Sequence, residues 1–176
     1  MSQGGVDDWD KPASFAVGAF PRRSTSSLDD TLDAVPTLGN RGGVWRFASP
    51  AGKAEIATLR AATPSDLPDS YFSFLGVTNG GEGDLGVEPG WFVPWRAEDV
   101  LLNNSEYQLA ESAPGLFGFG SNGGGECLAF DLRDAGAGRI VMVPFIGMDL
   151  QEAIVIAENF DQFALLVGMP MVGGIV

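Results

Sequence analysis

Residues 116–132, LFGFGSNGGGECLAFDL, decide how this 176-residue chain folds. They read as two short strands, 116–119 and 126–132, around a glycine-rich turn at 121–125. In the second strand Glu126, Leu128, Phe130 and Leu132 point one way and Cys127, Ala129 and Asp131 the other, because strand side chains alternate. Asn122 and the glycines accept positive φ cheaply, so a tight connection is expected. The same letters spell a decoy: Gly118-Phe119-Gly120-Ser121-Asn122-Gly123 is G-x-G-x-x-G, the dinucleotide fingerprint. That fingerprint needs a following helix whose N-terminus holds the pyrophosphate, and here a strand-like run follows. The glycines therefore read as a hairpin without a phosphate site, and no cofactor is expected.

Working outward, a third strand is expected at 139–143, reached through a turn at 135–138. Upstream, 91–95 reads as a strand, with Pro94 marking an edge or a strand end. GVWRFA at 43–48 reads as another, and 153–157 fits either a strand or a helix entry. Ser49-Pro50 offers a helix start, with Ser capping, for a helix over 53–62 that puts Ile56 and Leu59 on one side. Leu67, Tyr71, Phe74, Leu75 and Thr78 fall at helical spacings, with Pro68 in the first turn and Asn79-Gly80-Gly81 expected to end the helix. One or two helical turns are expected over 97–104. Phe160, Phe163, Ala164 and Val167 recur at i, i+3, i+4 and i+7 as a closing helix.

Strands this close together favour an antiparallel sheet with helices packed on one face, an α+β domain. Leu67, Tyr71, Phe74, Leu128, Phe130, Phe160 and Phe163 should share its core. The domain is expected over 43–176, with 1–42 as an N-terminal extension, partly docked or flexible, and 169–176 as an apolar, glycine-rich tail.

Hydrophobic residues make up 45% of the chain, enough for one full core. No apolar run approaches the ~20 residues that cross a bilayer, so no membrane association is expected. The start, MSQGGVDDWDKP, lacks the basic and apolar regions of a signal peptide. With a single cysteine there is no disulfide framework, and the expected home is the cytoplasm.

The formal net charge is -13, unevenly spread. Residues 1–65 carry seven acids and seven bases; residues 66–176 carry sixteen acids against Arg96, Arg133 and Arg139. Such a surface repels phosphate backbones, which argues against direct nucleic-acid binding, and speeds encounter with a basic partner. The plainer reading is that these acids serve solubility.

Chemistry finds few footholds. The chain has no histidine, so it lacks the usual general base near neutral pH and the commonest metal ligand. Cys127 lies inside a strand without a cationic neighbour in sequence and reads as an inert buried thiol. Asn79, Glu82, Asp84 and Glu88 crowd a glycine-rich loop that offers oxygens to a hard cation, but the EF-hand spacing is absent and no metal is expected. Glu126 and Asp131 stand an odd number of residues apart on one strand, which sends them to opposite faces and defeats an acid/base pair. Trp91, Phe92 and Trp95 suit either an aromatic ligand platform or, more simply, a core.

Three blocks then carry a family resemblance. Leu67-Pro68-Asp69-Ser70-Tyr71-Phe72-Ser73-Phe74-Leu75, followed by Asn79-Gly80-Gly81, resembles the LPxxYxxFL…NGG opening of the SMI1/KNR4 (SUKH) superfamily. The turn 120–125 leading into Phe130-Asp131-Leu132 resembles its central hairpin, and Asn159-Phe160-Asp161-Gln162-Phe163 its closing SFxxFL helix, with Asn159 where Ser is usual. The blocks stand in the family's order across about residues 45–167. The resemblance implies a protein-binding role without catalytic residues. Bacterial members are regarded as immunity proteins that neutralise toxins, and fungal members act as regulatory interaction proteins.

The expectation is thus an immunity-type protein that occludes a basic toxin domain, a nuclease being the fitting class. The alternative is a regulatory or scaffold module with no toxin partner. An enzyme working through carboxylates alone would need a pocket of convergent, perturbed acids. The expected docking acids are Glu82, Asp84, Glu88, Glu98, Asp99, Glu106 and Glu111, which meet only Arg96 in that stretch.

Overall fold

The computed structural model describes Leu38 and residues 41–133 and 138–171. Among the described residues seven strands form one antiparallel sheet in chain order: β1 (Trp45–Phe47), β2 (Gly81–Asp84), β3 (Trp91–Pro94), β4 (Leu116–Ser121), β5 (Glu126–Asp131), β6 (Arg139–Pro144) and β7 (Ile154–Ala157). The helices among these residues are α1 (Lys53–Ala62), α2 (Asp69–Leu75), α3 (Val100–Glu106), α4 (Leu109–Ser112) and α5 (Phe160–Leu166). This is the α+β, antiparallel architecture expected. The extension expected over 1–42 lies outside the described residues except at its end, where Leu38 is buried and the Arg41 guanidinium donates to the carbonyls of Ala164 and Leu165 at 2.8 and 2.6 Å. The turn expected over 135–138 and the end of the expected tail, from residue 172, also fall outside them, apart from Gly138.

Aromatic rings fill the space between the sheet and helices α2 and α5. Tyr71 meets Phe119, Phe130 and Phe160 edge-on at 5.3–5.9 Å, and Phe163 meets Phe92 and Phe119 at 5.0 and 5.5 Å. Such pairs add about 0.5–1.5 kcal/mol each beyond the area they bury. All seven expected core residues are buried in this cluster. Burial pushes the Tyr71 phenol well above its ordinary range, so the hydroxyl stays protonated.

The G-x-G-x-x-G letters form a hairpin, β4–turn–β5, as expected. Asn122 Oδ1 accepts from the N–H groups of Gly124 and Glu126, an Asx-type turn. A bulge between Gly118 and Gly120 shifts the register of β4. Burial of β5 departs from simple alternation, since Cys127, Ala129 and Asp131 are as buried as Leu128 and Phe130. Trp95 covers that second face: its ring lies against Gly118, beside Cys127.

Several local expectations are corrected. Ser49-Pro50 does not start α1: Ser49 accepts from the N–H of Asn79, and Gly52 is the N-cap, its N–H donating to the Glu55 carboxylate at 2.6 Å. Helix α2 ends at Leu75, earlier than Asn79-Gly80-Gly81, which instead turns the chain into β2 with φ of +97° and +104° at the two glycines. Pro94 is the strand end expected, closing β3, and not an edge marker, since β3 is third in the sheet. The glycine-rich stretch considered as a cation loop contains β2, whose GEGD sequence has no strand preference of its own; pairing to β1 and β3 imposes it. Asn159 serves where Ser is usual because its Oδ1 accepts from Gln162 N–H at 2.9 Å, a complete N-cap for α5.

Candidate functional site

Strand register sorts the expected docking acids. Trp45 and Phe92 both stand beside Gly83 and stack on each other at 6.1 Å, which fixes that side of β1–β3 as the core side. Glu82 and Asp84 therefore point to the opposite, outer face, together with Arg46, Trp91 and Val93. Arg46 pairs with Glu82 at 2.5 Å, the arginine largely in solvent and the glutamate partly so. Asp84 does structural work: its Oδ2 accepts from the Val44 N–H at 2.6 Å, and its backbone bonds to Val44 and Gly168. Glu88 sits exposed in the β2–β3 turn.

The other four acids ride on the helical excursion between β3 and β4. Glu98 receives Asn79 Nδ2 at 2.9 Å and Arg96 at 2.8 Å. The Asn79 hydrogen bond, with Arg96 adding to it, holds the Glu98 carboxyl below the usual range and therefore ionised. Asp99 is the N-cap residue of α3, Glu106 its last residue, and Glu111 lies in α4. Among the described residues Glu88, Asp99, Glu106 and Glu111 pair with no base. The structure thus divides the seven acids into two groups, one on β2 and its turn and one along α3–α4.

Two of the three bases in the acidic segment are drawn elsewhere. Asp131 is buried, and Arg133 grips it through Nε and Nη2 at 2.8 and 2.7 Å, with Arg139 3.8 Å away. The Arg133 hydrogen bonds, with Arg139 adding charge, hold the Asp131 carboxyl below its ordinary range. Glu126 is bound instead by Asn122 at the hairpin end of β5. The two acids doubted as a pair sit at opposite ends of the strand.

Other candidate chemistry resolves into architecture. Phe92 belongs to the core, and Trp95 is buried under Tyr107, so the Trp91, Phe92 and Trp95 platform is not one surface. Burial pushes the Cys127 thiol up to about 12, which keeps it un-ionised. Asn79 spends both ends of its amide, its Oδ1 accepting from Ala97 N–H and its Nδ2 donating to Glu98. Among the described residues no three or more acids and cysteines gather at metal-binding distance. A cleft of about 290 Å³ between α1 and α3 is lined by Ala54, Glu55, Thr58, Leu59, Ala97, Glu98 and Leu101. Its two carboxylates are already committed, Glu55 to Gly52 and Glu98 to Arg96 and Asn79.

Sequence reasoning missed two features. Asn104 and Tyr107 lie in the polar run NNSEYQ, where neither periodicity nor charge marks them. Tyr107 stacks on Trp95 at 5.9 Å and on Phe145 at 4.2 Å, yet remains 43% exposed.

The model of the SMI1 / KNR4 family (SUKH-1) matches residues 50–165. The chain belongs to this family. The match runs from the segment before α1 to the last turn of α5 and includes the hairpin and all seven expected docking acids. No curated protein sequence matches the chain. SUKH domains are known as immunity-like, non-enzymatic domains that generally bind protein toxins, and the described residues of this one include no helix long and apolar enough to cross a membrane.

Proposed function

We propose that this SUKH domain is an immunity protein that neutralises a basic toxin, a nuclease being the fitting class, by covering its active face. The observation that carries the reading is the unneutralised acid on the outer surface. Of the three bases in residues 66–176, Arg133 and Arg139 gather at buried Asp131, leaving Arg96 alone against the acids of α3, α4 and the β2–β3 turn. A surface of that sign steers a basic partner into place and sets its orientation, while area and packing supply affinity. Occlusion asks for no catalytic group, in keeping with a chain that has no histidine and a protonated, buried thiol.

Co-expression tests it. A toxin domain encoded beside this chain should kill cells alone and spare them when the SUKH domain is present, and the purified pair should form a complex of one defined stoichiometry. Survival without complex formation, or no protection, overturns the reading. The absence of any toxin-bearing neighbour directs attention to the regulatory alternative.

A further inference from the structure

The tip of the β4–β5 hairpin carries glycine where the fold does not require it. Gly123 needs its residue type, since its φ is +77°. Gly125 does not: its φ is not positive, and a Cβ there meets nothing within 4 Å. Gly124 likewise would touch only the Asn122 side chain, at 3.4 Å or more. All three are exposed. Asn122 holds this bare backbone in one conformation, so it is fixed as well as uncovered.

Aromatic rings flank the bare turn on the outer face. On one side the place of a Gly123 Cβ lies 3.4 Å from Val93 and 3.6 Å from the partly buried Trp91 indole. On the other, Phe145 donates its N–H to Gly125 and carries the Tyr107 ring on its own. Ile146, next to it, is 92% exposed. Carboxylates border the strip: Asp84, which holds the Val44 N–H, stands opposite Trp91 across β2–β3, Glu82 lies on the same face in its pair with Arg46, and Glu106 precedes Tyr107 in the chain.

We infer that this strip, made of Trp91, the glycine floor, Phe145 and Tyr107, is a docking surface that receives an arginine-bearing segment of a basic protein. Resting on the protein-binding reading above, it names the chemistry of the contact. A guanidinium is planar, weakly hydrated and always charged, so it lies on an aromatic face while meeting a carboxylate at its edge; an ammonium does this less well. A floor without side chains lets the segment's backbone approach. Charge selects the partner's sign: the chain carries -13 overall. Stacked aromatics at the centre with charge at the rim match the anatomy of binding hot spots.

Calorimetric titration of the full chain with nona-arginine and with nona-lysine peptides, across a salt series, tests this. The arginine peptide should bind about 5-fold or more tightly than the lysine peptide, and should keep that margin at 0.5 M salt, since stacking is not screened. Gly125→Gln, which roofs the floor, and Tyr107→Ala should each cut arginine-peptide affinity about 5- to 10-fold. Both should change lysine-peptide affinity less than 2-fold, and Gly125→Gln should leave the unfolding midpoint in place. Equal affinities for the two peptides, or indifference to both substitutions, overturn the surface. Toxin protection is scored in a separate assay, so a failed surface and a failed immunity role give different results.

Discussion

Asn104 hydrogen-bonds both backbone groups of Gly118: its Nδ2 donates to the carbonyl at 2.8 Å and its Oδ1 accepts from the N–H at 2.9 Å. Strand β3 pairs with β4 only at Val93–Ser121 and Pro94–Gly120, with a last bond from Trp95 N–H to Phe119, before the chain leaves the sheet. One side-chain amide on α3 thus stands in for the missing strand and ties the acidic helical excursion to the sheet. Asn104→Ala strands two backbone groups at about 1–3 kcal/mol each, so urea denaturation should show a loss of about 2–6 kcal/mol. Asn104→Asp keeps the acceptor and should lose less.

Phe163 is fully buried and touches Phe92, Phe119 and Phe160. Truncation to Ala removes a ring that joins α5 to the sheet, and should cost about 3–5 kcal/mol in the same measurement. A loss under about 1 kcal/mol would mean that the aromatic cluster closes over the gap.

Glycines of one hairpin should respond oppositely to alanine. At Gly120 a Cβ comes within 2.5 Å of the Phe92 ring and 2.8 Å of the Val93 carbonyl, so Gly120→Ala should destabilise by about 1–3 kcal/mol. Gly125→Ala meets nothing and should be neutral or slightly stabilising, because it restricts the unfolded chain. Thermal melts of the two variants separate the roles.

That contrast marks what could be read in the sequence. Helical spacing of Leu67, Tyr71 and Phe74 and of Phe160 and Phe163 identified the core directly, because burial imposes periodicity. The hairpin was legible for the same reason. Strand β2 was not, since GEGD holds no local preference and is a strand only by virtue of its neighbours. Nor did sequence distance reveal which acids are occupied. Asp84 reaches Val44 and Glu82 reaches Arg46 across a strand pair that nothing in residues 81–84 announces. Tyr107 went unseen because its partners, Trp95 and Phe145, lie on other elements.

Asp131 should give the chain an acid-sensitive step. Its carboxyl is held below its ordinary pKa by Arg133 and then Arg139, so the folded state favours the ionised form. A depressed folded pKa adds stability above the unfolded value of about 4, and that stability disappears as pH falls through the folded value. Urea midpoints measured from pH 7 down to pH 2 should therefore fall steeply below about pH 4. Asp131→Asn should be less stable at pH 7 and show a shallower fall. Parallel curves for the two proteins would remove Asp131 from the account of acid unfolding.

Charge reversal distinguishes docking acids from structural ones. Glu88, Glu106 and Glu111 are exposed and pair with no base among the described residues, so reversing all three to Lys should leave the fold intact and slow association with a basic toxin domain. Asp84 behaves differently: a lysine there cannot accept from the Val44 N–H, and part of any effect will be lost stability rather than lost steering. Glu82 reversal places a lysine beside Arg46, mixing repulsion within the sheet with any effect on binding. The rate deficit of the triple variant should shrink with added salt, because the Debye length falls from ~10 Å at 0.1 M to ~3 Å at 1 M. Dissociation should change less than association, since steering acts before contact. Stopped-flow mixing over that salt range reads both rates. An association rate that ignores both reversal and salt would return these acids to the role of surface solvation.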